Sequence, residues 1–188
     1  MSIGSCVVDT SSLSVAELSA VRIDGDLRVC AGAFVPLDEP DLPGTRALSV
    51  RSIAPAGPLV VEHLSAAWVH GLVSRPPALA RFAVSITERG RFKPPLPFHL
   101  REVVIDESEV CAIAGVPVTS PERTCIDLLR DDERADVEVV AIVGECARVA
   151  MVCVDGLAAR LNASFRLPRK ALAHRRLAML RDAWAAGA

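Results

Sequence analysis

The chain has 188 residues, 51% hydrophobic and 4% aromatic, with no tyrosine and a formal net charge of −2. That length holds one ordinary domain, or a small module and a domain. The apolar share is enough for an aliphatic core of Val, Leu, Ile and Ala, and the scarcity of aromatics argues against a stacking platform for single-stranded nucleic acid. The charge is uneven. From Met1 to Asp41 seven acidic residues face Arg22 and Arg28, a balance of −5. From Arg160 to Asp182 seven basic residues face Asp182 alone, a balance of +6. An anionic partner would therefore meet the C-terminal end.

Ser14-Val15-Ala16-Glu17 has capping-box spacing and predicts a short helix to about Val21. Asp24-Gly25 reads as a turn, and Leu27 to Val35 as one strand ending at Pro36. Leu37 to Pro43 is acidic and proline-punctuated, the composition of a linker. Helices are expected over Thr45–Ile53 and Glu62–His70, the second with Leu64, Ala67 and Trp68 on one face. Arg81–Thr87 alternates as a strand, Glu88–Pro95 is a basic loop, and Phe98–Ile105 and Glu109–Ile113 read as further strands. Val116 and Val118 alternate around Pro117, after which Thr119 or Ser120 can cap a helix. Thr119 and Glu122 have capping-box spacing, and Pro121 suits the first turn. Arg134–Ala150 and Val152–Asn162 are expected to be helical. Arg169–Trp184 is the clearest amphipathic helix, with Ala173, Leu177, Leu180 and Trp184 on one stripe.

Two blocks carry more than local structure. One is Ala114-Gly115-Val116-Pro117-Val118-Thr119-Ser120-Pro121-Glu122-Arg123-Thr124-Cys125-Ile126-Asp127-Leu128-Leu129-Arg130. The other is Val61-Glu62-His63-Leu64-Ser65-Ala66-Ala67-Trp68-Val69-His70-Gly71-Leu72. In this order they resemble the C-terminal domain of AbiEi-type antitoxins, a family of actinobacterial regulator-like proteins of toxin–antitoxin systems. The resemblance covers about Leu27 to Trp184. Helix, turn and strand at the N-terminus match a winged helix cut down to its last helix and wing. Arg28-Val29-Cys30-Ala31-Gly32-Ala33-Phe34-Val35-Pro36 keeps the frame of the family's wing but not its basic run. The expectation is an α+β protein: a truncated winged-helix-like module over residues 1–40, then a mixed-sheet domain with packed helices over residues 41–188.

The candidate chemistry is sparse. His63 and His70 lie seven apart, too far for a two-ligand zinc helix, which uses i and i+4. With Ser65, Ser120, Arg123 and Asp127 they are expected to form a structural signature. Arg123 and Asp127 can pair four apart. Asp106, Glu107 and Glu109 read as a solvated acidic turn. Nucleotidyltransferase chemistry needs a Gly-Ser turn closely followed by two carboxylates that hold Mg²⁺. Gly4-Ser5 is followed by Asp9 alone, and Asp24 and Asp26 have no such turn before them. The endonuclease-like domain that follows in some relatives would begin near Ala188. No catalytic residue, cofactor or metal is therefore expected. The six cysteines contain no C-x-x-C and read as free thiols of a reducing compartment. With no secretory signal and no stretch of membrane-span length, a cytoplasmic chain without a membrane partner is expected.

The basic candidates for phosphate contact are the loop with Arg89, Arg91 and Lys93 and the helix with Arg169, Lys170, Arg175, Arg176 and Arg181. The resemblance implies an antitoxin-like transcriptional regulator. It would contact operator DNA through this basic surface and have a nucleotidyltransferase-like toxin as operon partner. The short, acidic N-terminus speaks against winged-helix DNA binding, because affinity for DNA comes largely from Lys and Arg on phosphates. The alternative is a protein-interaction or homo-oligomerisation module with a vestigial DNA-binding part. The mean hydropathy of +0.35 favours it.

Overall fold

Ser14 opens the first helix as its spacing predicts. Its hydroxyl accepts from the Glu17 N–H at 3.3 Å, and Glu17 accepts from the Ser14 N–H at 2.8 Å. In the computed structural model, which describes residues 7–8, 13–88, 92, 96–149, 151–164 and 167–187, this helix, α1, runs Val15–Asp24. Gly25 ends it in the left-handed region.

The single strand expected next is a hairpin instead: β1 (Leu27–Cys30) and β2 (Ala33–Pro36), antiparallel, with Cys30 opposite Ala33. Ala31 and Gly32 make the turn with φ of 51° and 89°, the mirror-image turn that matches strand twist. Asn or Gly is usual at its first position, so Ala31 gave no turn signal.

Helix α2 (Pro43–Ser52) packs on β1, β2, β3 (Val60–Val61) and α3 (His63–Val69). Strands β4 (Arg81–Ser85), β5 (His99–Val103), β6 (Val110–Ile113) and β7 (Val116–Thr119) complete a five-stranded sheet with β3, in the order β5-β4-β3-β7-β6. The sheet is mixed: β3 runs antiparallel to β4 and parallel to β7, and β4 runs parallel to β5. The two-residue β3 has no periodicity to read, so sequence patterning passed over it. Four helices follow: α4 (Pro121–Leu129), α5 (Asp136–Arg148), α6 (Val154–Ala163) and α7 (Lys170–Gly187). The fold is α+β.

The chain forms two compact units, 1–118 and 119–188. The expected division at 40/41 falls inside the first unit, because the hairpin and the sheet share one core. Cys30, Ala33 and Val35 are buried in the same cluster as Ala47, Val50, Val61 and Phe82. The core of the second unit is aliphatic, built on Leu128, Leu129, Val139, Val143, Leu157, Leu161 and Leu177, all about 1% exposed or less. On α7 the predicted stripe is buried at Ala173, Leu177 and Leu180, but Trp184 is 47% exposed. Among the described residues no helix is long and apolar enough to cross a membrane, and no group of His, Cys, Asp and Glu could hold a metal ion.

Candidate functional site

In the first unit, α3 starts from a strained residue. His63 has φ +56°, uncommon for any residue but glycine. Polar contacts to β4 and β5 hold it there. The Glu62 N–H donates to the Arg81 carbonyl at 3.1 Å, and the Arg81 N–H donates to Ser65 Oγ at 2.9 Å. Arg81 Nη1 lies 3.0 Å from His63 Nδ1. A guanidinium only donates, so Nδ1 accepts and the imidazole proton sits on Nε2. Arg101 grips the buried Glu62 carboxylate through Nε, at 3.0 and 3.1 Å, and through Nη2. His63 and Ser65 are thus brought together on Arg81, and both are buried. His70 is half-buried at the other end of α3, where its N–H donates to the Ala66 carbonyl at 2.8 Å.

The same end of α3 is held by Arg46 of α2. Its guanidinium donates twice to Asp41, at 2.8 and 2.7 Å, and once to the Trp68 carbonyl at 2.9 Å. It also lies 5.4 Å from the centre of the Trp68 ring. The hydrogen bond from Arg46 holds the Asp41 carboxyl below its ordinary range.

In the second unit the signature residues build a helix start. Ser120 is the N-cap, its Oγ accepting from the Arg123 N–H at 3.2 Å, and Pro121 occupies the first turn. The Thr119–Glu122 capping box does not form. Thr119 lies before the cap, and its hydroxyl is 2.8 Å from that of Thr124. Arg123 Nε donates to Asp127 Oδ2 at 2.8 Å, and Arg130 lies 3.5 Å from Asp127 Oδ1. The Asp127 side chain is 1% exposed, so this pair is internal rather than the surface pair its spacing describes.

The basic residues of α7 turn inward or pair with acids. Arg176 corrects the sequence reading outright. It is 1% exposed, donates to Asp136 at 2.8 Å, and reaches the carbonyls of Leu128, Leu129, Asp131 and Arg134. A guanidinium enclosed this way cannot meet a phosphate. Arg175 pairs with Asp136 at 2.6 Å, Arg169 with Asp132 at 2.6 Å, and Arg181 with Asp155 at 2.7 Å. Lys170 Nζ donates to the carbonyls of Asn162 and Ser164. The second basic candidate, Arg89, Arg91 and Lys93, lies outside the described residues, as do Gly4, Ser5 and Asp9. Asp106 and Glu109 close a capping box over a short turn, a local role for the acidic cluster.

Sequence reasoning missed the partners: Glu62 with Arg101, Arg81 with His63, Arg46 with Trp68, and Asp136 with Arg176. One signal was available. Ala173, Arg176, Leu177 and Leu180 fall at i, i+3, i+4 and i+7, which places Arg176 inside the buried stripe. The described cysteines, Cys30, Cys111, Cys125, Cys146 and Cys153, are free thiols. The contact with Cys146, with burial, pushes the Cys125 thiol up, and the same contact draws the Cys146 thiol down. No family model matches the chain, and no curated protein matches it.

Proposed function

We propose that this chain is a non-catalytic, antitoxin-like regulator that acts through protein contact, with any DNA contact left to the loop of Arg89, Arg91 and Lys93. The observation that supports this reading is the pairing of Arg169 and the α7 arginines with aspartates of their own unit. Phosphate binding draws its affinity from Lys and Arg that neutralise phosphates and release the counterions condensed on the nucleic acid. Arg169, Arg175 and Arg181 each face an aspartate of their own unit, and Arg176 is enclosed. Arg175 and Arg176 share Asp136 and Lys170 meets only carbonyls, so the pairing reduces the charge the helix offers to a duplex without cancelling it.

The titratable groups support a scaffolding role. His63, Glu62, Arg123 and Asp127 are engaged in contacts that fix helix starts. Exposed Met151, Met179 and Trp184 of the second unit belong to the residue types enriched at protein interfaces. The family resemblance supplies the regulator part of the proposal, including a toxin of the same operon as candidate partner.

Light scattering on the full chain, joined to crosslinking in its native cell, tests this. A defined oligomer or a defined hetero-complex is expected. A mass of 20.0 kDa at every concentration, with no crosslinked partner, overturns the proposal.

A further inference from the structure

The first unit contains a cavity of about 480 Å³ that none of the contacts above occupies. It lies between the β1–β2 turn at Val29 and Gly32, the end of α2 at Val50 and Ile53, and the segment 76–80. The volume falls within the range of roughly 300–1,000 Å³ typical of small-molecule sites. Its lip is packed in place, since a Cβ added at Gly32 would meet the Ile53 side chain at 3.4 Å.

The chemistry of the lining is selective. Of its described side chains none is charged, and Ser65 alone is polar. Ser65 is fully buried and its oxygen already accepts from Arg81, so it closes the floor. The reachable polar groups are main-chain. At Pro76, Pro77 and Pro97 the main chain offers a carbonyl and no N–H. An ion would leave water and find no charged side chain among the described lining residues, an uncompensated cost. An uncharged molecule carries no such cost. Val29 and Leu79, 54% and 41% exposed, supply apolar surface at the rim.

We propose that this cavity binds an uncharged, largely apolar small molecule. The molecule packs on Val29, Ile53 and Leu79. Occupancy ties the hairpin to α2 and to the segment 76–80, so the ligand stabilises the first unit by mass action. This inference is independent of the protein-contact reading.

The test is a titration of the full chain with N-phenyl-1-naphthylamine, an uncharged fluorophore with one N–H, and with its sulfonated counterpart 1-anilinonaphthalene-8-sulfonate. Saturable one-to-one binding of the neutral dye is expected, with affinity for the sulfonate about ten-fold lower or more, the equivalent of about 1.4 kcal/mol. Val29→Arg and Leu79→Arg, both at the exposed rim, are each expected to weaken the neutral dye by a similar factor. Ile23→Arg, exposed on α1 and not lining the cavity, is expected to leave it unchanged. Circular dichroism confirms that each variant is folded. If one rim variant unfolds, the other and the dye pair still decide. The inference is overturned by no saturable binding, by equal affinity for the two dyes, or by binding undiminished in the folded rim variants.

Discussion

Arg176 Nε donates to Asp136 Oδ1 at 2.8 Å from a guanidinium that is 1% exposed, while its amino groups reach four main-chain carbonyls. Two of these, on Leu128 and Leu129, belong to the last turn of α4, where carbonyls lack intrahelical donors. One side chain of α7 thus closes α4 and anchors the start of α5. Arg176→Met leaves these acceptors unpaired, and a loss of about 3–5 kcal/mol is expected in urea denaturation. Arg175→Met removes an exposed partner of the same Asp136, and a loss of about 0–1 kcal/mol is expected. Equal losses would show that Arg176 is no more than a surface residue.

The same pair predicts an acid response. The hydrogen bond from Arg176, joined by the charge of Arg175, holds the Asp136 carboxyl below its ordinary value of 3.8. A folded pKa below the unfolded one stabilises the protein above the unfolded value, and the contribution disappears as pH falls through the folded value. Below about pH 4, then, the thermal midpoint is expected to fall, and more steeply in the parent than in Asp136→Asn. Parallel curves for the two proteins would remove Asp136 from the explanation.

The left-handed backbone at His63 inverts an ordinary preference. Within a helix Gly is worse than Ala. At φ +56° the Cβ itself is the burden. Both His63→Gly and His63→Ala lose the contact to Arg81, but the glycine variant is expected to be the more stable by about 1 kcal/mol. Thermal melts of the two variants decide, and a more stable alanine variant would mean that the backbone there is unstrained.

A similar substitution is available in the β6–β7 hairpin. Ala114 and Gly115 turn with φ of 49° and 78°, as Ala31 and Gly32 do in the first hairpin. Ala114 is exposed, and asparagine tolerates this conformation better. Ala114→Asn is therefore expected to gain up to about 1 kcal/mol in the same melts.

These residues also show how far the sequence could be read. Ser14 and Glu17, Pro121, and the alternation of Val116 and Val118 act locally, so their spacing placed α1, α4 and β7 within a few residues. The hairpin turn was hidden because Ala31, at φ 51°, is not a residue that usually takes left-handed backbone, and Gly32 beside it does not mark the turn alone. The run of basic residues on α7 was visible, but their partners Asp132, Asp136 and Asp155 lie 26 to 40 residues earlier. Such pairing is decided by how helices pack and leaves no local trace. A count of charge along α7 therefore overstated what that helix can offer to DNA.

The most direct measurement is fluorescence anisotropy of a labelled DNA duplex titrated with the full chain across a salt series. If Arg169, Arg175 and Arg181 are neutralised by their aspartate partners, affinity at physiological salt is no tighter than the roughly 10⁻⁴–10⁻⁶ M of non-specific contact. The triple variant Arg169→Ala, Arg175→Ala, Arg181→Ala then binds as the parent does, with the same salt slope. Nanomolar, operator-specific binding that the triple variant abolishes would contradict this and return α7 to the nucleic-acid interface.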